Sequence, residues 1–225
     1  MKIIGHRGAP FFAAENTLDS FRVAGSLGLN IFETDVHLTK DGVVIVCHDE
    51  DLKRTFGVSL KIKDSNYNAL AKYNVPTLAA LMQTLSGGVT LNIEIKTDVV
   101  DYPGIEAKVL KAIAGWNGNI IISSFNYETL KRVRILDKNI KLGYLTREFS
   151  PTRAKEISAA TVNMSSKRIT KNIVEVARKL GMEVWIYTVN EYEEFLRMRE
   201  LGADAVFTDN PYVDQPGFDK IGGVE

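Results

Sequence analysis

The feature that most constrains this chain is a repeat of structure rather than of letters: short β-branched runs alternate with helical stripes along most of its length. Strand candidates begin near Ile3, Ile31, Leu91, Ile120, Lys141, Thr161, Glu183 and Asp204, and from Leu91 onward the starts are 29, 21, 20, 22 and 21 residues apart. That spacing holds one strand and one return helix, the crossover that parallel pairing requires. Eight such units predict an α/β fold, an eightfold β/α (TIM-type) barrel, in a single domain over residues 1–225. An open doubly wound sheet is the alternative. No Gly-x-Gly-x-x-Gly follows the first strand, so a nucleotide-binding version of it has little support.

The segments between strands carry their own signals. Asn16 with Asp19, Asn126, Thr170, and Asn190 with Glu193 can each accept orphan N–H groups of a first helical turn, which predicts four helix starts. Leu18 and Phe21, Leu130 and Val133, and Phe195, Met198 and Leu201 form the stripes that would face the sheet. Gly181 and Gly202 stand where the last two helices should stop.

One gap, from Ile31 to Leu91, is 60 residues long. Within it, Val36–Thr39 and Val43–Cys47 flank Lys40-Asp41-Gly42, a strong hairpin signal. A turn there pairs residues whose numbers sum to about 82 or 83, which returns His48 to the neighbourhood of Thr34 and Asp35. The stretch of about 49–76 is polar and weakly patterned and reads as a short excursion above the barrel mouth. Thr77 then caps a helix with Leu78, Leu81, Met82 and Leu85 buried and Gly87 after it. The tail at about 212–225 shows no helical stripe.

Composition narrows the partners. Lysine plus arginine equal aspartate plus glutamate at 28 each, so the chain lacks the uniform positive field with which nonspecific nucleic-acid binders collect phosphates. No run approaches the ~18 apolar residues that span a bilayer, which leaves peripheral membrane contact at most. A single cysteine forms no internal disulfide, and the N-terminus enters a strand-like run without a signal-peptide pattern; both favour the cytoplasm. The oligomeric state is left open.

In a β/α barrel the working groups sit at the C-terminal ends of the strands. Strand one ends in His6 and Arg7. Strand two ends in Glu33 and Asp35, which project from one face. The hairpin returns His48. The next strand puts Glu94 and Lys96 on one face. Three carboxylates gathered in one place repel each other unless a cation neutralises them. Oxygen ligands favour a hard divalent ion, Mg²⁺ or Ca²⁺, with Mn²⁺ allowed. Flanked by Arg7 and Lys96, such an ion suits a phosphodiester, and two histidines near neutral pKa suit proton transfer. Taken singly, each group has a bland reading as a satisfied strand end or a surface charge. His37, in the outgoing hairpin arm, reads as exposed or structural, and Cys47 reads as packing.

These residues carry a resemblance. Gly5-His6-Arg7-Gly8, Glu15-Asn16-Thr17, Glu33-Thr34-Asp35-Val36 leading to Thr39-Lys40-Asp41-Gly42, His48-Asp49, Glu94-Ile95-Lys96, Thr188-Val189-Asn190 and Thr208-Asp209 follow the order of the glycerophosphodiester phosphodiesterase family, over roughly residues 2 to 211. The resemblance implies metal-dependent hydrolysis of small glycerophosphodiesters to sn-glycerol 3-phosphate and an alcohol. It assigns His6 and His48 to an acid/base pair, Glu33, Asp35 and Glu94 to the metal, and Arg7 and Lys96 to the phosphate. It also implies a cyclic phosphate formed by the substrate's own glycerol hydroxyl. Many members carry Trp where this chain has Tyr187, while Trp185 lies two residues earlier on the same strand face, so the aromatic wall near the glycerol is expected to be built differently. A lysophospholipase D or phosphoinositide-type phosphodiesterase on the same scaffold is the neighbouring reading, for which Phe11 and Phe12 are the apolar pair at the mouth. A noncatalytic phosphate-binding barrel is the reading from another class.

Overall fold

The computed structural model describes residues 1–85 and 87–218. Its strands are β1 (Lys2–His6), β2 (Ile31–Leu38), β3 (Val44–Val46), β4 (Thr90–Ile95), β5 (Asn119–Ser124), β6 (Lys141–Leu145), β7 (Thr161–Ser165), β8 (Glu183–Tyr187) and β9 (Ala205–Thr208). All but β3 run parallel, in the order β1-β9-β8-β7-β6-β5-β4-β2, and a β1–β2 pairing closes the ring. This is an eight-stranded parallel barrel with helices between strands and one extra strand.

The helices are α1 (Leu18–Ser26), α2 (Lys53–Phe56), α3 (Tyr67–Leu70), α4 (Leu78–Thr84), α5 (Ile105–Ile113), α6 (Tyr127–Leu136), α7 (Pro151–Glu156), α8 (Lys171–Lys179) and α9 (Tyr192–Leu201). Their buried stripes pack on outward-facing strand residues such as Leu91, Ile93 and Ile95 to form the main core. Phe21 of α1 meets Phe32 of β2 edge to face at 6.3 Å between ring centres. Inside the ring, Ile4, Ile121, Trp185, Ala205 and Phe207 form a separate apolar plug. Alternation along each strand explains the division, since period-two side chains face the helices and the barrel axis in turn.

The caps of α4, α6 and α8 are Thr77, Asn126 and Thr170, each accepting backbone N–H groups of its first turn as expected. Two expected caps move by one residue. Thr17 caps α1, its side chain accepting from the Ser20 N–H, and Glu191 stands before α9. Asn16 and Asn190 spend their amides elsewhere, on Asp35 and Asp209. Gly181 and Gly202 take left-handed conformations after α8 and α9, whereas after α4 it is Gly88 rather than Gly87 that does so.

The hairpin forms with Val36 opposite Val46, His37 opposite Ile45 and Leu38 opposite Val44, so each pair sums to 82 as expected. The excursion has more internal order than its polar sequence implied. Leu52, Ile62, Leu70 and Val75 pack with Ile45 and Cys47 of the hairpin into a small second core. Their irregular spacing hides them from any periodic pattern. After β9 the described residues form turns without a helix, and residues 219–225 of the expected irregular tail lie outside the described residues.

Candidate active site

At the C-terminal end of the barrel a cavity of about 170 Å³ is bordered by His6, Arg7, Glu33, His48, Glu94 and Lys96, with Tyr187 on its far wall. The groups expected from strand ends one, two and four of the chain thus converge. Asp35 lies beside them, and Glu33, Asp35 and Glu94 are 3%, 1% and 8% exposed. One oxygen of each lies within 4.8 Å of the others.

Their protonation shows the electrostatic cost of this crowding. Burial, then the charges of Asp35 and Glu94, push the Glu33 carboxyl well above its usual range. Burial raises Glu94 to about 7 although Lys96 donates to it at 2.8 Å. Burial acts on Asp35 too, but Arg7 and Lys96 outweigh it and hold that carboxyl down at about 2. Fully ionised, three carboxylates against two cations would leave net negative charge in a buried site, which a hard divalent ion would neutralise. The donor set, oxygen-only and mutually repelling, fits such an ion.

Each histidine is gripped by a carboxylate at Nδ1. His6 meets Asp209 at 2.7 Å, and Asp209 accepts a second bond from the Asn190 amide at 2.7 Å. His48 meets Asp49 at 2.6 Å, and the other Asp49 oxygen accepts from Arg54 Nε at 2.6 Å. Arg54 also forks onto both Glu15 oxygens at 2.9 and 2.7 Å. Glu15 in turn accepts from Arg7 Nη1 at 3.1 Å, and Arg7 Nε stands 3.2 Å from Asp35, off the line of a hydrogen bond. A chain of ion pairs therefore joins the acidic cluster to His48 by way of α2. With Nδ1 engaged by a carboxylate, Nε2 is the nitrogen left to exchange protons, and it lies 4.0 Å from Glu33 in His6. Burial lowers the His48 pKa, and the nearby Asp35 partly restores it.

His37 is structural, as one of its two readings had it, but buried rather than exposed. It bonds the Tyr102 hydroxyl at 2.9 Å and the His48 carbonyl at 3.0 Å, and burial lowers its pKa to about 4. It thus braces the backbone of the hairpin's return arm. Cys47 packs in the second core, and burial pushes its thiol up to about 12. Trp185 belongs to the plug, 5.8 Å from Phe207. The aromatic wall is instead Tyr187 and Phe125, whose rings meet edge to face at 6.0 Å.

Sequence reasoning singled out neither Phe125 nor the floor residues Asn92, Ser123 and Asn163. The Asn92 and Asn163 positions are inward-facing only once the barrel closes, which no local pattern reports. Asp209 and Asp49 had a usable signal, since each is acidic and sits at a strand end or directly after a histidine.

A model of the glycerophosphoryl diester phosphodiesterase family matches residues 6–213, almost the full chain. The chain belongs to the glycerophosphoryl diester phosphodiesterase family. A glycerophosphodiester phosphodiesterase of Caldanaerobacter subterraneus subsp. tengcongensis is 33% identical, with 93% of this chain and 94% of that one covered. A solved phosphodiesterase of Oleispira antarctica, in complex with the product sn-glycerol 3-phosphate, matches with a TM-score of 0.87 at 27% identity over 98% of this chain and 97% of that one. A human lysophospholipase D is 25% identical over 93% of this chain and 83% of its own. Membership in the phosphodiesterase family makes the protein an enzyme, a phosphoric diester hydrolase, rather than a noncatalytic barrel. Among the described residues no helix is long and apolar enough to cross a membrane.

Proposed function

We propose that the enzyme hydrolyses small glycerophosphodiesters to sn-glycerol 3-phosphate and an alcohol, with a divalent ion held by Glu33, Asp35 and Glu94. One observation carries the proposal: two buried carboxylates, two cations and two carboxylate-gripped imidazoles border a single small cavity, with a third buried carboxylate, Asp35, clustered against the first two. The Oleispira relative's complex with sn-glycerol 3-phosphate supports the choice of substrate. The same proposal takes the substrate as a small molecule met in the cytoplasm, without nucleic acid.

When bound, Mg²⁺ or Ca²⁺, or Mn²⁺ in their place, would acidify the reacting hydroxyl and offset charge growing on the nonbridging oxygens. Arg7 and Lys96 orient the phosphate; burial works against the Lys96 charge, but Glu94 and Asp35 keep it protonated. One imidazole takes the proton from the glycerol 2-hydroxyl, whose oxygen attacks phosphorus. The other gives a proton to the departing alcohol as its P–O bond breaks. Water then opens the cyclic phosphate with the proton roles exchanged. Tyr187 and Phe125 wall the glyceryl side.

The test is an assay with each ion titrated against a panel of glycerophosphodiesters, reading release of sn-glycerol 3-phosphate. His48→Ala should lower turnover about 10²–10⁴-fold. Failure to turn over any member with all three ions would reject the proposal. A lysophospholipase D reading has its own support in the human relative and in Phe12, which is 40% exposed at the mouth. Comparing glycerophosphocholine with its monoacyl counterpart separates the two.

A further inference from the structure

Two polar atoms on the cavity floor have no partner. Asn92 and Asn163 are 1% and 0% exposed, and both side chains border the cavity. The Asn92 amide donates to Ser123 Oγ at 3.0 Å, which leaves its Oδ1 unbonded. Asn163 Oδ1 accepts from Thr161 at 2.7 Å, which leaves its Nδ2 unbonded. A buried polar atom left this way is destabilising, so native proteins rarely keep one without a ligand or water to fill it. Here one acceptor and one donor stand unfilled in the same small chamber.

The neighbouring strand is closed on tightly by this layer. Gly143, within β6, faces Asn163 and Ser123, and a Cβ there would lie 3.0 Å from Asn163 Nδ2 and 3.2 Å from Ser123 Cβ. Glycine in a strand interior commonly marks close approach of another group. Around the layer, Trp185, Phe207, Ile4 and Ile121 fill the barrel. At about 170 Å³ the cavity is smaller than the ~300–1,000 Å³ pockets that enclose drug-sized ligands.

We infer that Asn92 and Asn163 bind the terminal, nonreacting hydroxyl of the glyceryl group and so discriminate against substrates in which that hydroxyl is missing or acylated. The inference rests on the hydrolytic reading above and sharpens it. A hydroxyl both donates and accepts, so one oxygen can give its proton to Asn92 Oδ1 and accept from Asn163 Nδ2. With the phosphate at Arg7, Lys96 and the acidic cluster, this arrangement would turn the glyceryl carbons toward the floor. An acyl chain on that hydroxyl removes its proton and has no room against the plug. A site built to bond a hydroxyl discriminates strongly against a substrate that lacks it, because its own buried atoms then stay unpaired.

The experiment compares kcat/KM for glycerophosphocholine with that for the analogue in which the terminal hydroxyl is replaced by hydrogen, and with that for monoacyl glycerophosphocholine. The 2-hydroxyl is present in all three. We expect both alternatives to fall at least about 30-fold below glycerophosphocholine. In Asn92→Ala and Asn163→Ala the gap between glycerophosphocholine and the deoxy analogue should narrow to within about threefold, with thermal midpoints reporting whether each variant is folded. Equal wild-type efficiency on the deoxy analogue would overturn the inference while leaving the hydrolytic reading intact. So would efficient cleavage of the monoacyl substrate. No release of product from any of the three would remove both. The wild-type comparison decides the matter even if a variant does not fold.

Discussion

Adding Mg²⁺ or Ca²⁺ to ion-stripped protein should raise its thermal midpoint, and the rise can be sized from the site. A ligand that binds only the folded chain stabilises it by about 2.7 kcal/mol at a hundred times its Kd. Unfolding entropy near 2.1 cal/mol/K per residue gives about 0.47 kcal/mol/K for 225 residues. The expected shift is therefore about 6 °C. Glu94→Gln keeps the shape of the side chain but removes one of three charged oxygens that lie within 4.8 Å of one another. If that weakens ion binding tenfold, the same ion concentration stabilises by only about 1.4 kcal/mol, or about 3 °C. Differential scanning fluorimetry on chelator-treated wild type and Glu94→Gln, with each ion titrated, makes the measurement. An equal shift in the variant, or none in the wild type with Mg²⁺, Ca²⁺ or Mn²⁺, would refute the argument that the carboxylates form the ion site.

Arg54→Ala should lower kcat by roughly 10-fold or more while changing stability little, because half of the Arg54 side chain is exposed yet it fixes Asp49 behind His48; unchanged steady-state kinetics would show that the ion-pair chain does not position the imidazole. Thr17→Ala should destabilise by about 1 kcal/mol, near 2 °C, through loss of the α1 cap, with turnover preserved. Asn16→Ala should reduce turnover as well as stability through loss of its buried bonds to Asp35 and Thr34, so a kinetic comparison of the two variants separates cap from site. Gly8→Ala should destabilise by at least about 3 kcal/mol or prevent folding, since its φ is +95° and a Cβ would fall 2.4 Å from Ser20 Oγ; a chemical-denaturation midpoint close to wild type would contradict this.

The barrel was legible because several units carry their own punctuation. A β-branched run, a cap such as Thr77 or Thr170 and a closing glycine repeat at a spacing that admits few other folds. The hairpin register was legible because Asp41-Gly42 fixes the turn, and from the turn the pairing follows by counting. His6, Glu33, Asp35, His48 and Glu94 could be brought together from these two facts alone. Asn16 and Asn190 were misread for a definite reason: the amide that caps a helix is equally suited to hold a carboxylate, and only the neighbouring backbone decides which. Asn92, Ser123 and Asn163 meet across strands far apart in sequence, so their proximity is a property of closure rather than of any segment. The second core escaped because Leu52, Ile62, Leu70 and Val75 follow no helical or strand period.

The placement of His48 on the hairpin's return arm has a consequence for how such a protein can change. The His48 backbone is braced by the neighbouring ladder and by His37, while Asp49 holds its imidazole and reaches Arg54 early in the excursion. Residues Thr55 to Val75 form an awning on its own small frame, fixed to this arm through Ile45 and Cys47. Changes to the outer edge of that awning that keep these two contacts would leave His48 its footing.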